Sequence, residues 1–251
     1  MKVFRYILPS LLVLSLFSCS KDDDQASVNN DPVSINISLN YVFGSQALPW
    51  DLNQMMLHPK TGDSLNFQTL KFYLSNFKLQ KADGSFWEEE NSYHLVDAAT
   101  STNGVFSIEV PAGTYTHLHF KTGIDSSRIT DGPYEGDLDG SFGMMFPNGS
   151  GYAMIKAEGI SPQGDNGLFS FALGEFHQPY SMVQNRSMSF FGEDWVLEPG
   201  SNHEISLVAN PAKLWHYAPG LDSLSNYSGG GEWAELMSRE FFGAISLQSV
   251  N

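Results

Sequence analysis

The chain contains 251 residues, of which 41% are hydrophobic and 13% aromatic. This is enough apolar material for the core of one large domain or two small ones. Acidic residues outnumber basic ones by 28 to 13, which gives a formal net charge of −15. Binding to a nucleic-acid backbone requires clustered cations, so the composition argues against a nucleic-acid partner.

The first 18 residues predict a signal peptide that ends at a lipidation site. Lys2 and Arg5 precede the apolar run YILPSLLVLSLF, which is too short to span a membrane. The run ends in LFSC, which resembles the lipobox of bacterial lipoproteins, although Phe17 is bulkier than that pattern usually carries. Cys19 is the only cysteine in the chain, so it cannot form an intrachain disulfide. We therefore expect residues 1–18 to be removed and a lipid on Cys19 to anchor the protein in a membrane.

Residues 19–32 predict a flexible tether between the lipid and a folded domain. The sequence SKDDDQASVNNDP is polar and has no apolar periodicity. Acidic residues directly after the cysteine also resemble an export signal that sends some Gram-negative lipoproteins to the outside of the outer membrane. We expect an outer-membrane lipoprotein that is exposed at the cell surface.

Short alternating segments follow one another from residue 33 onward, with glycine and proline between them. This pattern is typical of an all-β antiparallel sandwich, and no linker interrupts it, so residues 33–251 are predicted to form a single domain. Only GGGEWAELMSREFFG has helical spacing, which predicts a short C-terminal helix that caps one end of the sandwich. The predicted strands lie in VSINISLNYVF, LNFQTLKFYLSNFKLQ, SYHLVDA, GVFSIEV, TYTHLHFKTGI, GYAMIKAEGI, GLFSFALGEF, MSFFGEDWVL and NHEISLVAN.

One acidic segment is similar to half of a calcium-binding loop. In EGDLDG, the side chains of Glu135, Asp137 and Asp139 alternate as in the start of an EF-hand, but Phe146 occupies the twelfth position, where that loop needs glutamate. The EF-hand interpretation fails, and an acidic surface loop is favoured. Calcium binding of another kind stays an alternative, because dense carboxylates attract hard cations.

The seven histidines show no spacing typical of a zinc site. His117 and His119 in GTYTHLHF point to the same face of a predicted strand, and Leu118 and Phe120 to the other. We expect the pair to lie outside the core, and metal binding on that face stays an alternative.

Motifs for a serine nucleophile, a P-loop or a dinucleotide-binding loop are absent, so we expect no enzymatic activity. A hydrolase assembled by the fold is the remaining alternative.

Four ordered blocks of the sequence resemble the MbnP-like domain, a copper-binding family related to a methanobactin-associated periplasmic protein. The blocks are GDSLNFQTLKFYLSNFKL, NSYHLVDA, FSIEVPAGTYTHLHFKTGIDSSR and GDLDGSFGMMFPNGSGYAMIKAEGISP. The resemblance covers most of residues 33 to 215. It implies a β-sandwich, often in a lipoprotein, and in some members copper bound through histidines and a tryptophan oxidised to kynurenine.

The chain departs from this family at two positions that the resemblance associates with the metal. Where the family commonly has W-x-W-N-S-G-Y, this chain has FPNGSGY from Phe146, so no indole stands there. Where the family has F-x-Y-H-[LI]-G, this chain has FSFALG, with Ala172 in place of histidine. The resemblance retains His94, and His177 lies five residues past Ala172, so these two are the candidate metal ligands. Nearby thioethers for Cu(I) come from Met144, Met145 and Met154.

We therefore expect a lipid-anchored binding or accessory protein of the cell envelope whose copper site is degenerate or rebuilt, with a copper-handling or redox protein as partner. The alternative is a glycan- or protein-binding surface lipoprotein without a metal role. That alternative would use aromatic side chains, because ring faces suit sugar stacking and interface anchoring. The candidates are Trp50, Trp87, Trp215 and Trp233.

Overall fold

The computed structural model describes residues 31–100, 105–125, 135–147 and 149–251. The predicted signal peptide at residues 1–18, the lipidation site at Cys19 and nearly all of the tether at 19–32 lie outside these residues. None of the helices within the described ranges is both long and apolar enough to cross a membrane.

Strands dominate the part of the chain that the structure describes, with one α-helix near the C-terminus and several short 3₁₀ turns. The strands are β1 (Val33–Phe43), β2 (Leu48–Pro49), β3 (Met55–Leu57), β4 (Ser64–Lys81), β5 (Phe86–Glu88), β6 (Tyr93–Asp97), β7 (Phe106–Val110), β8 (Gly113–Thr122), β9 (Ile155–Ile160), β10 (Leu168–Leu173), β11 (Gln184–Ser189), β12 (Trp195–Leu197), β13 (Asn202–Ala209), β14 (Asn226–Gly229) and β15 (Ser246–Val250), and the helix is α1 (Glu232–Gly243).

The strands form two sheets with a common core. The smaller sheet has the order β15-β13-β1-β2, with β7 also paired to β1. The larger sheet has the order β11-β8-β4-β9-β10-β14, and the short strands β3, β5, β6 and β12 pair with β4 or β8. Strand β4 is 18 residues long and pairs with β3, β5, β6, β8 and β9 along its length. This strand is the central strand of the larger sheet.

Aromatic rings join the two sheets. The Trp50 ring centroid lies 5.3 Å from that of Tyr41 in β1 and also 5.3 Å from that of Phe67 in β4. On β1, Val33, Ile35 and other alternate residues are buried, as the apolar pattern predicts. The predicted all-β sandwich is confirmed.

Two strand pairs depart from the antiparallel arrangement that we predicted. β1 pairs with β13 in parallel, and β10 pairs with β14 in parallel. Alternation of apolar residues shows which side of a strand is buried, but it contains no information on the direction of a partner more than 50 residues away. The sheets are therefore mixed.

The C-terminal helix forms where the sequence predicts it. Phe241 and Phe242 of α1 are fully buried, and their ring centroids lie 5.1 and 6.3 Å from that of Phe72 in β4. The sequence did not indicate the short strands β2, β3, β5 and β14, nor β15 after the helix, because two to five residues give too few alternations to recognise.

Candidate functional site

A cavity of about 520 Å³ opens beside the larger sheet, where three segments of the chain meet. One wall is formed by residues 146–147 and 150–152, another by the loop after β10, and the third by the end of β14. The lining residues are Phe146, Pro147, Ser150, Gly151, Tyr152, Met154, Gly174, Glu175, Phe176, His177, Ser228, Gly229 and Gly230. Both sequence blocks that depart from the family pattern therefore lie at or beside one cavity.

Two glycines allow these walls to approach each other. A Cβ atom on Gly174 would lie 2.1 Å from the carbonyl oxygen of Tyr152. A Cβ atom on Gly230 would lie 2.5 Å from Oε2 of Glu175. At Gly174 the close atom belongs to the backbone, so the absence of a Cβ atom is what lets the two segments pack this closely, whereas at Gly230 the close atoms belong to the Glu175 side chain.

Glu175 and His177 form the polar centre of the cavity. Oε1 of Glu175 accepts hydrogen bonds from the backbone N–H of Phe176 at 3.0 Å and of His177 at 2.9 Å, and it lies 2.9 Å from Nδ1 of His177. Partial burial acts to raise the pKa of Glu175, but the hydrogen bonds from His177 and Phe176 outweigh it and hold the pKa below its ordinary value. The carboxylate orients the imidazole, and 72% of the His177 side chain stays exposed.

Ala172 lies next to this cavity, on the outer side of β10. It pairs with Ser228 of β14, which lines the cavity, and with Lys156 of β9 on the other side. Phe146 lines the cavity directly. A methyl group and a phenyl ring thus stand where the resemblance led us to look for an imidazole and an indole.

His94 lies among a different set of residues. Its Nε2 is 2.8 Å from Oε2 of Glu89, and its ring stacks on Phe106 of the smaller sheet at 3.6 Å between centroids. Phe77 packs against the ring edge-on at 5.6 Å. The structure gives His94 and His177 separate neighbours, and His94 connects the two sheets.

Comparison with known proteins places the chain in a family. The family model described as MbnP matches residues 31–228, which is more than half of the chain. The chain belongs to the MbnP family. Among solved structures, MbnP from Methylosinus trichosporium is similar at 14% sequence identity, over 81% of this chain and 82% of that chain, with a TM-score of 0.46. No curated protein matches the chain.

The described residues around the cavity do not bring three metal-binding side chains together. All seven histidines lie in the described residues, and no group of three or more His, Cys, Asp or Glu side chains within these residues is placed to hold a metal ion. The cavity offers the imidazole of His177, a carboxylate that already binds that imidazole, and the thioether of Met154. Met154 is fully buried, and its sulfur packs where a Cβ of Gly123 would be.

The acidic segment that suggested calcium is used for backbone hydrogen bonds. Asp137 accepts from the N–H of Leu95 at 2.8 Å, and Asp139 accepts from the N–H of Ser141 at 2.7 Å. These two carboxylates serve different segments of the chain. Within the described residues, they belong to no group of three or more His, Cys, Asp or Glu side chains that could hold a metal ion.

The sequence did not identify Glu175 or Gly230 as site residues. Each is unremarkable in its own segment, since the contact between them joins the β10 loop to the end of β14. The one available signal was Gly174, which matches the final glycine of the family pattern and precedes Glu175 directly.

Proposed function

We propose that this MbnP-family chain is an exported, lipid-anchored binding protein of the cell envelope, whose cavity binds a small organic ligand instead of copper. The observation that carries the proposal is the cavity itself. Phe146, Tyr152 and Phe176 supply aromatic walls, and His177 with Glu175 supplies one oriented polar pair. A concave, mostly apolar site with few convergent polar groups is typical of small-molecule binding.

Copper binding is the competing function, and the donor set distinguishes the two. A site for Cu(I) needs at least two soft or imidazole ligands that reach one ion. His177 has one free ring nitrogen, because its Nδ1 faces Glu175. Met154 would have to leave its packing against Gly123 to join it.

A titration with Cu(I) in the presence of a competing chelator tests this proposal. The purified chain without a histidine tag and its H177A variant should compete equally with the chelator for Cu(I), because the proposal expects no Cu(I) at His177. Sub-micromolar binding that disappears in H177A would show that the copper site has been rebuilt, and would overturn the proposal.

The lipid anchor is tested by labelling cells with a radioactive fatty acid, which should mark the wild-type chain and not C19S.

A glycan-binding surface is the second candidate function, and only two of the four candidate tryptophans are exposed enough to take part in it. Trp50 and Trp215 are 3% and 1% exposed, so their faces are unable to stack on a sugar. Trp233 is 39% exposed, and Trp87 is only partly buried. Retardation of the wild-type chain, but not of the W87A/W233A double variant, in polysaccharide-containing native gels would favour this candidate.

A further inference from the structure

Two histidines stand side by side on the outer face of β8. The ring centroids of His117 and His119 are 6.0 Å apart, with 36° between the ring planes. Leu118 and Phe120 point into the core and are at most 2% exposed. The predicted position of the pair outside the core is confirmed, and the buried neighbours fix both imidazoles on one face.

The spacing of the rings fits one shared metal ion. A metal bound at about 2 Å from a ring nitrogen lies roughly 3 Å from that ring's centroid, so two imidazoles on one ion have centroids up to about 6 Å apart. The observed 6.0 Å is at the upper end of that range. At this separation the ion would lie between the two rings, with the imidazoles in opposite coordination positions.

Each imidazole also keeps one ring nitrogen for a ligand bond. Nδ1 of His117 lies 3.0 Å from Oγ1 of Thr116, and Nε2 of His119 lies 3.4 Å from Oε1 of Gln80. A Gln80 carbonyl oxygen only accepts, so the His119 proton belongs on Nε2 and the lone pair on Nδ1. Such a contact to the second nitrogen orients an imidazole for metal binding.

An aromatic ring and a lysine side chain border the pair. Phe86 packs edge-on against His119 at 5.2 Å between centroids. Lys78 of β4 lies opposite His119 of β8 in the sheet register. Lys78 is itself paired with Glu88 at 2.7 Å, so its charge is balanced locally.

We propose that His117 and His119 form a two-imidazole site for a late first-row divalent metal ion, with water in the remaining coordination positions. The site lies on β8 and shares no residue with the cavity after β10, so it is independent of the proposed function. The described residues supply only two strong donors here, and binding is therefore weaker than at a closed structural site. Cu(II) is the best probe for two reasons. Sites with nitrogen ligands bind Cu(II) most tightly among these ions, and Cu(II) forms square-planar complexes with imidazole and water ligands.

The test is a calorimetric titration of the full chain with Cu(II), together with its electron paramagnetic resonance spectrum. The wild-type spectrum should show coupling to two imidazole nitrogens. H117N and H119N should each weaken binding by about 100-fold, the lower end of the gain from joining two donors in one site. The H117N/H119N double variant should lack the coupling to two nitrogens and bind Cu(II) no more tightly than either single variant.

H203N is the matched control. His203 is also a partly exposed histidine on a strand, but none of the other histidines in the described residues packs against its ring. It should bind Cu(II) like the wild type. Circular dichroism and thermal unfolding of all variants show that each is folded. Equal affinity in H117N, H119N and wild type, or an equal loss in H203N, would overturn the site. A tight Cu(I) complex that depends on His177 would overturn the proposed function and leave this result unaffected.

Discussion

Replacing Gly174 with alanine tests whether a close backbone approach builds the cavity. The new Cβ atom would lie 2.1 Å from the carbonyl oxygen of Tyr152, and ordinary contact begins at 3.4 Å, so the two segments must separate by about 1.3 Å. A backbone oxygen is unable to rotate away as a side chain does. The separation would strain the hydrogen bond from the N–H of Met154 to Leu173, which is 2.6 Å long, and that from the N–H of Gly174 to Gly229, which is 3.2 Å long.

The expected cost is at the upper end of the range for overpacking, about 3 kcal/mol of unfolding free energy. For a domain of this size each kcal/mol lowers the melting temperature by about 2–4 °C, so G174A should melt about 6–12 °C below the wild type. Urea unfolding followed by tryptophan fluorescence gives the free energy, and a thermal scan gives the melting temperature.

Gly243 provides the matched control. It ends α1, its backbone is outside the left-handed conformation, and a Cβ atom added there would meet no other atom within 4 Å. G243A should therefore be neutral or stabilising by up to about 1 kcal/mol, since alanine favours a helix. If G174A unfolds with the same free energy as the wild type, the proposed steric origin of the cavity is wrong.

Two further predictions concern the core. Burial, aided by Lys60 and His216, lowers the pKa of His58 in the folded chain. The unfolded chain therefore takes up a proton at about pH 6.5, whereas the folded chain does so only at lower pH. The free energy of unfolding should decrease as the pH is lowered below about 6.5, and should decrease less in H58Q, which urea unfolding at pH 7.5 and 5.5 would measure. F241A should cost about 3–5 kcal/mol, because the ring is fully buried, whereas F142A, at a 42% exposed position, should unfold like the wild type. Equal pH dependence in H58Q, or equal stability of the two phenylalanine variants, would contradict these assignments.

Local patterns determined most of the secondary structure. The predicted segment VSINISLNYVF coincides with β1 from Val33 to Phe43, and the helix occupies the predicted EWAELMSREFFG. The positions of His117 and His119 outside the core were also predicted. In each case the decisive property is whether a residue is apolar and where its neighbours stand, and the sequence contains both directly.

The tertiary structure alone decided which segments meet. The sequence located Phe146 and Ala172 as departures from the family, but it gave no indication that Ser228 and Gly230 would complete the same cavity. Nor did it pair β1 with β13 in parallel. Contacts between distant segments depend on the partner strand and its direction, and an alternating pattern fits many partners equally well.

His94 shows the same division between sequence and structure. Its position in YHLVDA, which matches the family, indicated a candidate metal ligand. In the folded chain its ring packs on Phe106 and its Nε2 lies beside Glu89. The residue type determines that an imidazole can ligate, stack or donate. Which of these it does is decided by the side chains that the two sheets bring against it.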